Sequence, residues 1–121
     1  MHFAICDDDR QHILDLEAFF CNRPELHIDS EPYESGEALV NDYRNNGRRY
    51  DALFIDIEMG AMNGIETAHA IREMDEHVII IFVTSHLQYS PESFECDADR
   101  YLVKPLVGEK VNEALTFIAN K

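Results

Sequence analysis

The run Val78-Ile79-Ile80-Ile81-Phe82-Val83 constrains this chain more than any other stretch. It is rich in β-branched residues and apolar at every position, so as a strand it has no face to give to water. Such a strand must be covered on both sides, which is the situation of a parallel sheet with helices above and below it. The rest of the sequence supplies those parts. Phe3-Ala4-Ile5-Cys6 is a short apolar run that ends in Asp7-Asp8-Asp9, and Ile13, Leu16 and Phe20 then recur at helical spacing, with Asp9 as the cap. Leu26 and Ile28 alternate with polar neighbours as a second strand, and Ser35 caps a helix with Leu39, Val40 and Tyr43 along one side.

Ala52-Leu53-Phe54-Ile55 is another continuous apolar run, ending at Asp56. After the loop that contains Glu58, Met59 and Gly60, Asn63 and Glu66 stand at the spacing of a capping box and open a third helix. Ser90-Pro91 starts a short, weak fourth helical segment that runs to about Cys96. Arg100-Tyr101-Leu102-Val103 reads as a fifth strand, stopped by Lys104-Pro105, and Val107, Val111, Leu115 and Ile118 line one face of a last helix. Strands alternating with helices give an α/β fold with right-handed crossovers. The smallest such solution is a flavodoxin-like (βα)5 domain with a five-stranded parallel sheet in the order 2-1-3-4-5.

A length of 121 residues suits one domain, taken to be residues 1–121, and the 28 % share of charged residues is that of a soluble globular protein. No apolar run approaches the roughly 20 residues of a membrane helix, and no signal peptide precedes the first strand, so the cytoplasm is the expected location. Cys6, Cys21 and Cys96 have no paired spacing and are expected to remain thiols. The formal net charge of −14 repels nucleic-acid backbones, so direct DNA or RNA binding by this domain is not expected. Most of these acidic residues do no more than keep the chain in solution.

A different use is indicated for those at the strand ends. In the order 2-1-3-4-5, strands 1 and 3 are neighbours at the switch point, and ligands bind in the crevice beyond their carboxyl ends. Asp7 and Asp8 follow strand 1, Asp56 ends strand 3, Thr84 and Ser85 follow strand 4, and Lys104 follows strand 5, all on that rim. Two carboxylates 4 Å apart repel by about 4 kcal/mol at an effective dielectric of 20. A hard cation with a preference for oxygen ligands, Mg²⁺, fits such a set better than a soft metal does. The arrangement suits phosphoryl transfer to a carboxylate, with Asp56 as nucleophile. Asp8, Asp56 and the Glu58 backbone carbonyl would bind Mg²⁺, Asp7 would hold a metal-bound water, and Thr84 and Lys104 would bind the other phosphoryl oxygens.

These residues resemble, in order and over nearly the whole chain, the response-regulator receiver domains of bacterial two-component systems. The resemblance rests on Asp7-Asp8, Phe54-Ile55-Asp56-Ile57, Gly64, Val83-Thr84-Ser85 and Tyr101-Leu102-Val103-Lys104-Pro105. The stretches Ile80 to His86 and Tyr89 to Glu95 are further similar to receivers joined to LytTR DNA-binding domains. The resemblance implies a sensor histidine kinase as donor, Thr84 and Tyr101 as switch residues, and a cis Lys104-Pro105 bond. It also implies homodimerisation through the face of the fourth helix, fifth strand and last helix, and an output domain outside this chain. Such a domain signals by a population shift rather than by turnover.

The departure from the family is Met59-Gly60, where Met-Pro is usual; glycine loosens that loop. Glu58 and His86 occupy the variable positions two residues after Asp56 and Thr84, where the family tunes the phosphoryl lifetime. Two rival readings stand beside this one. A Mg²⁺-dependent phosphohydrolase would use Asp7 as nucleophile and Asp9 as acid, and a degenerate receiver would act only as a docking module. The histidines, His2, His12, His27, His69, His77 and His86, show no metal-ligand spacing and are read as surface residues.

Overall fold

The computed structural model describes residues 1–85 and 98–121, so the expected fourth helical segment and His86 lie outside the described residues. The strands are β1 (His2–Cys6), β2 (Asp29–Tyr33), β3 (Ala52–Asp56), β4 (Ile79–Thr84) and β5 (Arg100–Val103). All pair in parallel, in the order β2-β1-β3-β4-β5. The helices are α1 (Arg10–Cys21), α2 (Gly36–Asn46), α3 (Gly64–Met74) and a C-terminal helix (Gly108–Ala119). The sheet order is the one expected from the alternation of elements.

Every residue of β3 and β4 is buried, as an apolar run between two helical layers requires. Side chains alternate between the faces. Leu53, Ile55, Ile80 and Phe82 pack with Leu39, Tyr43, Ala68 and Ile71 of α2 and α3. Phe54, Ile79, Ile81 and Val83 pack on the opposite face with Ile13, Leu16 and Phe20 of α1 and with Val111, Leu115 and Ile118 of the C-terminal helix. Phe3, Phe20 and Phe54 bring their ring centroids within 5.5 Å of one another there.

The helix starts follow from their capping residues. Ser35 Oγ accepts from the Ala38 N–H, and Asp9 Oδ1 accepts from the Gln11 N–H at 2.9 Å. At α3 the box is complete: Asn63 Oδ1 accepts from the Glu66 N–H, and Glu66 Oε1 accepts from the Asn63 N–H.

Two expectations are corrected. The second strand lies at Asp29–Tyr33 and not on Leu26 and Ile28, because Pro24 opens a 3₁₀ turn and His27 adopts a left-handed conformation (φ 49°) before the strand begins. β2 is an edge strand with mostly polar residues, and an edge is where Pro32 is tolerated. Val107 does not join the buried face of the last helix; it is the N-cap residue and is exposed, whereas Ala114 is buried.

Candidate functional site

The parallel order places the carboxyl ends of β1 and β3 side by side, and the residues that follow them meet there. Asp56 is the last residue of β3 and Asp7 the first after β1, and both are buried, at 6 % and 3 % exposure. Asp8 is exposed at the mouth. One carboxylate oxygen from each of Asp7, Asp8 and Asp56 lies within 4.8 Å of the others. Three converging hard oxygen donors, two of them buried, match the donor chemistry of a small divalent cation such as Mg²⁺.

Lys104 comes to this cluster from the end of β5. Its Nζ lies 3.0 Å from Asp7 Oδ2 and 3.4 Å from Asp56 Oδ2, with the side chain 11 % exposed. Its backbone N–H donates to the Thr84 carbonyl at 2.8 Å, which joins the ends of β4 and β5. The Lys104-Pro105 bond is cis, as the resemblance implied. Thr84, the last residue of β4, is itself 1 % exposed. Tyr101 is half-buried on the α2–α3 side, its ring centroid 5.7 Å from that of Phe82.

Burial is the main influence on Asp56. Together with the nearby Asp7 charge it pushes the carboxyl group from its ordinary 3.8 up to about 6, against the opposing pull of Lys104 and of the Glu58 N–H. That N–H donates to Asp56 Oδ1 at 3.3 Å, so the loop after β3 holds one oxygen while the lysine faces the other. Burial likewise raises the Cys6 thiol, whose Sγ donates to the Ser35 carbonyl at 3.3 Å; this neighbour of Asp7 is a core residue.

The loop returns to the sheet at Gly64, whose N–H donates to the Ile57 carbonyl at 2.8 Å. A Cβ on Gly64 would stand 2.2 Å from the Asp56 carbonyl oxygen and 2.7 Å from the Ile57 Cα. Backbone cannot yield as a flexible side chain does, so Gly64→Ala is expected to lower stability by about 1–3 kcal/mol, measured by urea unfolding. At Gly60 an added Cβ would meet no atom within 4 Å, so that residue sits at an open part of the loop. Met59 and Met62 pack onto the α2–α3 core and anchor the loop on either side of it.

The family model of the response regulator receiver domain matches residues 3–116. The chain belongs to that family. Among curated relatives of this receiver, the sensory transduction protein LytT of Oceanobacillus iheyensis is 34 % identical over 121 residues, covering 98 % of this chain and 48 % of the relative. LytT of Bacillus subtilis is 28 % identical over 89 % of this chain and 44 % of its own length. The transcriptional regulatory protein LytR of Staphylococcus aureus is 37 % identical over 55 % of this chain and 27 % of its own. The receiver thus spans about half the length of the LytT proteins. The fold is shared with the receiver domain of AraT, a response regulator from Geobacillus stearothermophilus, at a TM-score of 0.87 and 22 % identity, covering 98 % of this chain and 92 % of that one. The N-terminal domain of a response regulator protein from Carboxydothermus hydrogenoformans gives 0.86 and 21 %, covering 99 % and 94 %. Among the described residues no helix is long and apolar enough to cross a membrane.

The receiver fold brings Asp7, Asp8, Asp56, Thr84 and Lys104 to one rim. Sequence reasoning missed His12, which it expects at the surface. The ring is only 37 % exposed, and Nδ1 lies 2.6 Å from Lys104 Nζ and 3.3 Å from Asp7 Oδ2. The signal is present in its position. His12 is the third residue of α1, and helical side chains lean toward the N-terminus, here toward the acidic loop.

Proposed function

We propose that this domain accepts a phosphoryl group on Asp56 in a Mg²⁺-dependent reaction and relays the signal by changing conformation. The convergence of three carboxylates and one buried ammonium at the β1/β3 switch point carries this reading. An Asp56 carboxylate oxygen attacks phosphorus while the bond from phosphorus to the donor breaks; with a sensor histidine kinase the donor atom is a phosphohistidine nitrogen. Burial and the Asp7 charge raise the Asp56 carboxyl to about 6 in the metal-free chain, so at neutral pH it is ionised and available as nucleophile. Lys104 donates to the incoming phosphoryl oxygens, and the Thr84 hydroxyl turns toward them. Asp7, Asp8, Asp56 and the Glu58 carbonyl are the groups that would hold Mg²⁺, which supplies charge neutralisation between carboxylates and phosphoryl.

The response is a shift between two packings near β5. Thr84 and Lys104 are joined through the backbone, and Tyr101 stands on Phe82 two residues before Thr84, so a displacement of Thr84 reaches the β5 face. That face, with the C-terminal helix and the fourth helical segment expected from the sequence, is the proposed homodimer surface. The likeness to LytT and LytR, and the half-length match, support a DNA-binding output domain of LytTR type outside residues 1–121, hence control of transcription in the cytoplasm. Domains of this kind signal and do not turn over a substrate.

The phosphohydrolase reading is disfavoured by the side chains it needs. Asp7 is ion-paired with Lys104 and accepts from the Asp9 N–H, while Asp9 caps α1. Incubation with phosphoramidate should add a single phosphoryl mass to the intact protein with Mg²⁺ and none with EDTA. A chain that stays unlabelled in Mg²⁺ would instead be the docking module that Gly60 suggests, and steady phosphate release without an adduct would indicate a hydrolase.

A further inference from the structure

We infer that His12 is a positioning residue for phosphoryl transfer, acting by holding the Lys104 ammonium. The inference rests on Asp56 being the phosphoacceptor and adds a residue to that site.

An ammonium group has three N–H donors and no acceptor. Three acceptors surround the one on Lys104: Asp7 Oδ2 at 3.0 Å, Asp56 Oδ2 at 3.4 Å and His12 Nδ1 at 2.6 Å. The shortest of the three contacts is the one to histidine. Because Lys104 can only donate, Nδ1 must accept, and the ring proton sits on Nε2. That nitrogen faces Asp9 Oδ2 at 3.5 Å. Asp9 in turn is fixed as the cap of α1, where its Oδ1 takes the Gln11 N–H. A chain of oriented groups therefore runs from the helix cap through the imidazole to the lysine. Nδ1 and Asp7 Oδ2, 3.3 Å apart, are both acceptors and both face the ammonium from one side.

The histidine matters for aim. Without Nδ1, the ammonium is held by two carboxylates only, and the closer of these is Asp7 and not the phosphoacceptor. Lys104 then loses the shortest of its three contacts and its head group is less fixed in the place where phosphoryl oxygens arrive. His12 Nδ1, beside Asp7 Oδ2, gives the ammonium a further fixed acceptor without adding negative charge to a crevice that already has three carboxylates. Glutamate or aspartate at position 12 would not do this.

The test is the rate of Asp56 phosphorylation by phosphoramidate at saturating Mg²⁺, followed by intact mass. His12→Phe fills similar space without an acceptor and should slow labelling by about ten- to a hundredfold, the value of one hydrogen bond to a charged group. His12→Asn places an acceptor oxygen at the position of Nδ1 and should stay within about twofold of the native chain. His12→Gln, with its acceptor one bond farther out, should resemble His12→Phe and decides the matter if the phenylalanine variant fails to fold. In a Lys104→Ala background, His12→Phe should have no further effect, because the residue acts through the lysine. Native-like labelling by both His12→Phe and His12→Gln, slow labelling by His12→Asn, or a loss that persists without Lys104 would each overturn the inference. Absence of any adduct on the native chain would instead refute the phosphoacceptor reading beneath it.

Discussion

In metal-free buffer at pH 7.5, Asp56→Asn is expected to be more stable than the native chain by about 1–3 kcal/mol, an advantage that disappears as the pH falls toward 4. The reason is the cost of a buried charge held near Asp7. The folded chain binds the Asp56 proton more tightly than the unfolded chain does, with the carboxyl group raised to about 6 from its ordinary 3.8. Between those values the folded state carries more protons, so stability declines as pH rises through them and the full deficit is present above about 6. Below about 4 the carboxyl group is protonated in both states and the amide has no benefit. Asparagine keeps a carbonyl oxygen that can accept from the Glu58 N–H while removing the charge. Thermal unfolding of both proteins at pH 4, 5, 6 and 7.5 checks this, and native stability equal to that of the variant at neutral pH would mean that the Asp56 charge carries no cost. Saturating Mg²⁺ should reverse the order, since binding to the native carboxylates adds stability that the amide cannot match.

Lys104→Ala is expected to slow phosphoryl transfer to Asp56 by about 10²–10³-fold, the usual consequence of removing one preorganised donor from the place where charge develops. Among the described residues, Lys104 is the cation whose head group reaches both buried carboxylates. Its loss should not weaken Mg²⁺ binding, because the ammonium and the metal compete for Asp7. Calorimetric titration should return an equal or lower Kd for the variant alongside the slower labelling. A variant that lost metal affinity and rate together would point to collapse of the crevice, which the same titration exposes.

The parts of this domain that can be read from sequence are those in which local pattern and tertiary role agree. The Val78–Val83 run has one solution, an interior strand, and the structure buries all of β4. Asn63 and Glu66 state a helix start that the loop geometry completes. Asp56 is legible because a charge at the inner end of an apolar run is costly unless a cation or a ligand offsets it. β2 is not, because an edge strand is defined by its neighbour: Asp29–Tyr33 is mostly polar, and its place comes from pairing with β1. Val107 continues a helical spacing but falls one residue outside the helix, where spacing no longer dictates burial. His12 is hidden by distance along the chain. Its partner lies 92 residues away in sequence, and only the sheet order brings the end of β5 within reach of the first turn of α1.

Phosphorylation at Asp56 is tested by comparing the intact masses of the native chain and Asp56→Asn after incubation with phosphoramidate and Mg²⁺, with peptide mapping of any adduct. The native chain should gain one phosphoryl group, mapped to the peptide that contains Asp56, and the variant should gain none. Equal labelling of the two proteins, or an adduct mapped to Asp7 or Asp8, would contradict it.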